Sequence, residues 1–171
     1  MTDLINITAS LLLSIAVHEM GHIINAKLIG VKFKLKSISS LGMRFEFETF
    51  NRSVITEIMI FISGSTVGLF TTALIIKTSL INYDFWLSYC LISSTLALFN
   101  LLPIMGLDGG AIISCILDRL MFPDISLRIS KVISVICSLI LWAIAVRVQL
   151  RSDGGQSLSI MSIFLLFKSI F

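Results

Sequence analysis

Apolar residues run along this chain in blocks long enough to cross a bilayer, which takes about 20 predominantly apolar residues per helix. The first block covers about 4–29 and is interrupted by His18, Glu19 and His22. The second covers about 54–76 and the third about 85–104, where the Gly-rich stretch Gly106-Leu107-Asp108-Gly109-Gly110 follows. Residues 111–120 read as a short, partly apolar helix, and a fourth span fits about 131–148. The last apolar stretch, 158–171, is short for a crossing and carries Lys168, so it reads as re-entrant, interfacial or a tilted short span.

The segment between the first two blocks has a different period. Val31-Lys32-Phe33-Lys34-Leu35-Lys36 alternates strictly, and so does Met43-Arg44-Phe45-Glu46-Phe47-Glu48. Alternation on both sides of 37–42 predicts a β-hairpin. One register sets Lys32 opposite Glu48 and Lys34 opposite Glu46, which pairs opposite charges across the strands. Val31, Phe33, Leu35, Phe45 and Phe47 fill the other face, suited to the bilayer or a helix bundle. An amphipathic surface loop is the alternative. The expected fold is an all-α polytopic membrane protein of about four to five transmembrane or re-entrant helices with a small membrane-associated β-hairpin. It forms one integral-membrane domain over 1–171, with a core at 4–120 and C-terminal helices within 129–171.

Composition agrees with the pattern. Hydrophobic residues make up 56% and charged residues 13%, against roughly 45–50% and about 25% in soluble domains. So short a soluble chain has too little interior to hide that much apolar surface. The net charge of +3 and the lack of a basic cluster among aromatics argue against nucleic acid as a partner. Cys90, Cys115 and Cys137 are scattered through apolar runs and read as small buried hydrophobes. Asp3 is the only charge before the first apolar run, so a cleaved signal peptide is not expected. Lys32, Lys34, Lys36, Arg44 and Arg52 fall between the first two spans, and Arg119, Arg128 and Lys131 follow the third. Both groups lie on one side, which the positive-inside rule makes cytoplasmic.

His18-Glu19-Met20-Gly21-His22 matches H-E-x-x-H inside the first block. On a helix, His18 and His22 project from one face and can share a Zn²⁺ ion. Glu19 sits about 100° around, within reach of a water on the metal, and suits a general base that later returns the proton to the leaving amine. Charged groups in a membrane helix are costly, roughly 2.5–3.5 kcal/mol for an Asp at the centre. Such a cluster belongs in a polar interior, and Ser10, Ser14 and Asn25 extend its stripe. A metal-free pair of interior histidines is the bland alternative. A catalytic zinc takes three protein ligands and leaves one position open. No Glu follows Glu57, and Asp3, Asp84, Asp118, Asp124 and Asp153 are terminal or near loops. Asp108 alone stands at a broken membrane element among glycines, which let the backbone bend and approach closely. A solvated Asp in a surface turn remains the other reading.

These two elements, with the second taken as Asn100-Leu101-Leu102-Pro103-Ile104-Met105-Gly106-Leu107-Asp108-Gly109-Gly110, resemble the paired motifs of the site-2 protease family of intramembrane zinc metalloproteases. The resemblance covers most of 4–120. It implies that Asp108 completes the zinc site with His18 and His22, and that Asn100 holds the substrate backbone or the oxyanion. It also implies that Pro103 shapes the helix break. The brevity and the Leu-Leu-Pro…Leu-Asp-Gly-Gly wording resemble the sporulation type, stage IV sporulation protein FB. Where the family often has a Gly-Pro-x-x-Asn-like patch, this chain has Ser63-Gly64-Ser65-Thr66-Val67-Gly68. That patch reads as a small-residue helix-packing face without a catalytic role.

The implied activity is a zinc metalloendopeptidase, with one Zn²⁺ per chain, that cuts membrane-tethered proteins in or near their transmembrane segments. Its place would be the cell membrane, with the site opening toward the cytoplasm. Regulated release of a membrane-bound transcription-factor precursor is one such task, and regulatory membrane proteins are conceivable partners. The edge of the hairpin would accept an extended substrate segment as an added strand. The rival functions are a metal carrier using the same ligands and a silent protease that binds membrane proteins. The carrier would need further acidic or His sites along a path, although the chain has no third histidine. Against the silent protease argues the intact set of His18, Glu19, His22 and Asp108.

Overall fold

The computed structural model describes residues 2–39, 42–47, 53–78, 80, 83–151, 160 and 162–165. Its chain forms two compact units, Met1–Leu101 and Leu102–Phe171.

The first unit contains α1 (Thr2–Ile29), β1 (Phe33–Ser39), β2 (Gly42–Phe47), α2 (Val54–Lys77) and α3 (Asp84–Asn100). The end of α1 follows from one glycine. Gly30 takes φ 73°, its N–H donates to the Lys27 carbonyl at 3.1 Å, and the Val31 N–H reaches the Ala26 carbonyl at 2.8 Å. That pair of bonds is a Schellman motif, which needs a residue free to adopt positive φ. Its usual apolar contact is present as well, since Val31 packs with Ala26 and with Ile60 of α2. At the start of α2, the Ser53 side chain accepts from the Thr56 N–H at 3.2 Å, an N-cap that fixes the boundary at Val54.

The three helices pack on one another, and what they bury inverts the soluble pattern. Ser10, Ser14, His18, Glu19, His22, Ser63, Ser65, Thr72 and Ser93 are buried, while Leu12, Leu28, Ile55, Phe70 and Leu91 are exposed by 62% or more. In water this arrangement would be untenable; in lipid it is the expected one, because apolar tails solvate the Leu and Ile surface. A satellite apolar cluster of Ile75, Tyr89, Cys90 and Trp86 closes the end near the α2–α3 connection.

β1 and β2 pair antiparallel, with Phe33 opposite Phe47, Lys34 opposite Glu46 and Leu35 opposite Phe45. The register then shifts between Leu35 and Ser37. Glu48, and with it the Lys32–Glu48 pairing, lies outside the described residues. β2 runs beside α1.

The second unit holds α4 (Asp108–Leu120) and α5 (Pro123–Arg151), packed together. Two expected boundaries move. The third apolar block stops being helical at Asn100 rather than Ile104, because the residue before a proline is pushed out of the α region and Pro103 follows closely. α5 begins at Pro123 rather than near Lys131. Proline suits the first helical position, and the polar letters that weaken the hydropathy there, Ser126 and Ser130, lie on a buried face continued by Ser134 and Ser138. Among the described residues three helices are long and apolar enough to cross a membrane: Leu4–Ile29, Val54–Lys77 and Pro123–Arg151. α3, with 17 residues, is roughly 26 Å long at 1.5 Å per residue, at the lower limit for crossing. Of the terminal stretch 158–171, only Ile160 and 162–165 are described, all helical; the rest of that expectation lies outside the described residues.

Candidate active site

One helical turn sets the geometry of the histidine pair. His18 and His22 stand on the buried face of α1 with ring centroids 4.9 Å apart and planes at 82°. Their Nε2 atoms are 3.3 Å apart. The His22 Nδ1 lies 2.7 Å from the Ile60 carbonyl oxygen on α2. A carbonyl only accepts, so in the neutral ring Nδ1 carries the proton and Nε2 keeps the lone pair. The Asn100 amide, at the last residue of α3, places Nδ2 3.0 Å from the His18 Nε2. An amide nitrogen only donates, which assigns a lone pair to that Nε2 as well. The two Nε2 atoms therefore face one another, each ring oriented by a different helix.

That spacing can be tested against a metal. Two nitrogens bound to zinc at 2.0–2.1 Å with a tetrahedral angle stand about 3.3 Å apart, which is the separation seen. The other ring nitrogen of His22 makes the outer hydrogen bond that metal-binding histidines normally have. Ser63 shares that acceptor, its hydroxyl donating to the same Ile60 carbonyl at 2.6 Å. The donor set fits a borderline divalent ion.

Glycine shapes the wall. A Cβ on Gly64 would run into His22 Nε2 and stand 2.8 Å from His22 Cε1 and 2.9 Å from His18 Cε1. A Cβ on Gly21 would meet the Ser63 carbonyl oxygen at 2.7 Å and the Gly64 Cα at 2.8 Å. α1 and α2 thus cross almost backbone to backbone, with both imidazole edges laid on Gly64. Glu19 is buried one residue on from His18.

In the second unit, Asp108 is the first residue of α4, with Gly109 and Gly110 buried behind it. The expected glycine-framed bend is confined to Gly106, the one glycine of the stretch with positive φ, at 96°. Gly109 and Gly110 are already helical. Gly110 instead allows close packing: its Cβ would press into the Ile104 carbonyl group and stand 2.9 Å from the Met105 nitrogen. The second motif therefore makes a short loop and a helix start.

So His18 and His22 come together, and Asn100 joins them. Ser63 and Gly64, read from the sequence only as part of a helix-packing face, and the Ile60 carbonyl are additions to the site. The G-x-x-x-G spacing of Gly64 and Gly68 announces close helix packing, yet nothing in it names the imidazoles as what is packed.

Residues 46–144 match the model of peptidase family M50, more than half of the chain; this match holds Asn100 and Asp108 and begins after His22. The structure resembles that of the site-2 protease from Methanocaldococcus jannaschii with a TM-score of 0.70, at 25% identity, covering 94% of this chain and 74% of that one. No curated protein matches the chain. Membrane-crossing helices that bury a histidine pair and expose leucine, together with these likenesses, define an intramembrane metalloprotease, a multi-pass membrane protein. The chain belongs to peptidase family M50, among the zinc metalloendopeptidases of the site-2 protease type.

Proposed function

We propose that His18, His22 and Asp108 hold one zinc ion, that Glu19 is the general base and acid, and that Asn100 is the oxyanion donor. The whole chain, 1–171, then works as a single protease domain in the cell membrane. The observation that carries this reading is the 3.3 Å separation of two Nε2 atoms in a buried pair whose rings are oriented by the Ile60 carbonyl and the Asn100 amide. Two imidazoles and a carboxylate are a common catalytic zinc set.

When bound, the ion would polarise the scissile carbonyl and make water a better nucleophile near neutral pH. Glu19, buried where a carboxylate is poorly solvated, takes the proton of the attacking water and returns it to the departing amine. Asn100 ends α3 with its amide already aimed at the His18 Nε2. With that nitrogen engaged by a ligand, the amide donates to the oxygen on which negative charge develops. Gly64 keeps α2 close and the rings immobile.

The substrate must unwind locally, since a helix keeps its carbonyls in its own ladder. An edge of the β1–β2 pair would offer a template for an extended segment. The basic residues of 30–53 and 118–131 favour a cytoplasmic opening, and release of a tethered regulator fits such a site.

The test is Glu19→Gln with a membrane-tethered substrate co-expressed. The shortened product should vanish while zinc, measured in the purified protein, stays at one per chain. Undiminished cleavage by that variant would end the assignment.

A further inference from the structure

We infer that Ser134, on α5, is a positioning residue for the Asp108 carboxylate, acting through the loop of residues 104–107. The proposal rests on the reading of Asp108 as a metal ligand. Ser134 is fully buried, and its Oγ accepts the Met105 backbone N–H at 2.8 Å across 29 residues of sequence. Within the loop, the Leu107 N–H closes on the Ile104 carbonyl at 3.0 Å and the Ile104 N–H on the Leu102 carbonyl at 2.7 Å. On its other side the loop backbone lies directly on Gly110, where a methyl group would collide with the Ile104 carbonyl.

Asp108 follows the loop immediately, and it starts a helix whose cap residue, Leu107, supplies no side-chain hydrogen bond. The position of that first residue is therefore set by the loop, and the loop is held from outside by Ser134. The Met105 N–H points at a hydroxyl that is fully buried, so without that acceptor the loop must shift to satisfy it.

Ser138 provides an internal control. It lies one turn further along α5, is equally buried, and its Oγ has no hydrogen-bond partner among the described residues. Ser138→Ala makes the same chemical change on the same face without touching the loop.

The experiment uses the full chain purified in detergent, stripped of metal and titrated with Co²⁺, whose visible absorption reports ligand geometry. Ser134→Ala should bind Co²⁺ about 10–100-fold more weakly, the usual effect of losing an outer-shell partner, with an altered visible band. Ser138→Ala should match the wild type. Equal behaviour of Ser134→Ala and wild type, or equal losses in both alanine variants, overturns the proposal. If Ser134→Ala does not survive purification, the near-isosteric pair Ser134→Thr and Ser134→Val takes its place. Tighter Co²⁺ binding with Thr, which keeps the acceptor, is expected; equal binding by Thr and Val overturns it. Asp108→Asn is run alongside. Wild-type Co²⁺ binding by that variant sinks the ligand reading itself, whereas its loss together with an unaffected Ser134→Ala sinks the Ser134 inference alone.

Discussion

Replacing Gly64 with alanine adds one methyl group at the tightest point of the site. That methyl would stand 2.8 Å from His22 Cε1 and 2.9 Å from His18 Cε1, where carbon atoms normally keep 3.5–4.0 Å. Something has to move by roughly 0.6–1 Å. The His22 ring is tied to Ile60 by a 2.7 Å bond and to the ligand geometry by the 3.3 Å nitrogen spacing, so its displacement breaks one or the other. Withdrawal of α2 instead would open the crossing at Gly21, where backbone already meets backbone. Overpacking of this kind costs about 1–3 kcal/mol, partly offset by the gain of about 1 kcal/mol from exchanging a helical Gly for Ala. The fold should survive with a modest loss.

The chemistry should not survive in the same way. Disturbed outer-shell geometry weakens metal by about 10–100-fold, and a misplacement of about 1 Å costs about 100-fold in rate. The assay is zinc content of the purified chain alongside cleavage of a co-expressed tethered substrate. Gly68→Ala is the companion, since its methyl would lie 3.2 Å from the Ser93 Oγ and 3.8 Å from the Ala97 Cβ, contacts that small adjustments absorb. The expected result is a Gly64→Ala protein that folds but cuts at least 100-fold more slowly, beside a Gly68→Ala protein near wild type. A Gly64→Ala enzyme with full zinc and normal cleavage would refute the account of the wall.

Two further outcomes follow from the same geometry. Asn100→Ala should keep its zinc and lose about 10²–10³ in kcat, as when an oxyanion donor is removed; unchanged turnover in single-turnover cleavage would return Asn100 to a packing role. Gly110→Ala should displace the 104–107 loop, because the collision is with the Ile104 carbonyl group and the Met105 nitrogen rather than with a movable side chain. Zinc content should fall more than with Gly68→Ala, and equal zinc in the two proteins would contradict it.

The long helices were legible because lipid imposes a length. Blocks such as 4–29 and 54–76 nearly coincide with α1 and α2, and the stop of the first at Gly30 and the start of the second at Ser53 are local signals. α5 was read short because hydropathy measures what a helix shows to lipid. Asp124, Ser126, Arg128 and Ser130 lower the average over the first turns, although Pro123 and the four-residue serine spacing carry the helix through them. The histidine pair was legible for a related reason, since a spacing of four on a helix is a spatial statement. Asn100 lies 82 residues from His18, and no periodicity connects positions that far apart; only the resemblance of its surrounding motif pointed there. Gly64 was read as a packing glycine, which it is, and what it packs against is decided by the rotation of α1 about its axis.

That rotation is set in part by hydroxyl groups, of which some bond within their own helix and others across to a neighbour. Thr8, Thr66 and Thr95, all exposed, donate back to the carbonyl four residues earlier on their own helix, which satisfies a polar group facing lipid without help from a neighbour. Ser10, Ser65 and Ser93, all buried, donate across helices instead, to the carbonyls of Phe85, Ala97 and Gly68. Lipid removes the hydrophobic drive for helices to associate, leaving packing and such interhelical bonds, each worth about 0.6 kcal/mol on average. Ser10 fixes α1 on α3 two turns before His18, and Ser65 and Ser93 fix α2 on α3 beside Gly64. The Ile60 carbonyl then meets His22, and the Asn100 amide meets His18, because three helices have been locked in rotation by serines. The metal-facing geometry is thus an outcome of how a membrane bundle solves its polar bookkeeping, with the imidazoles occupying the next two places in the same four-residue series, 10, 14, 18 and 22, that the serines begin.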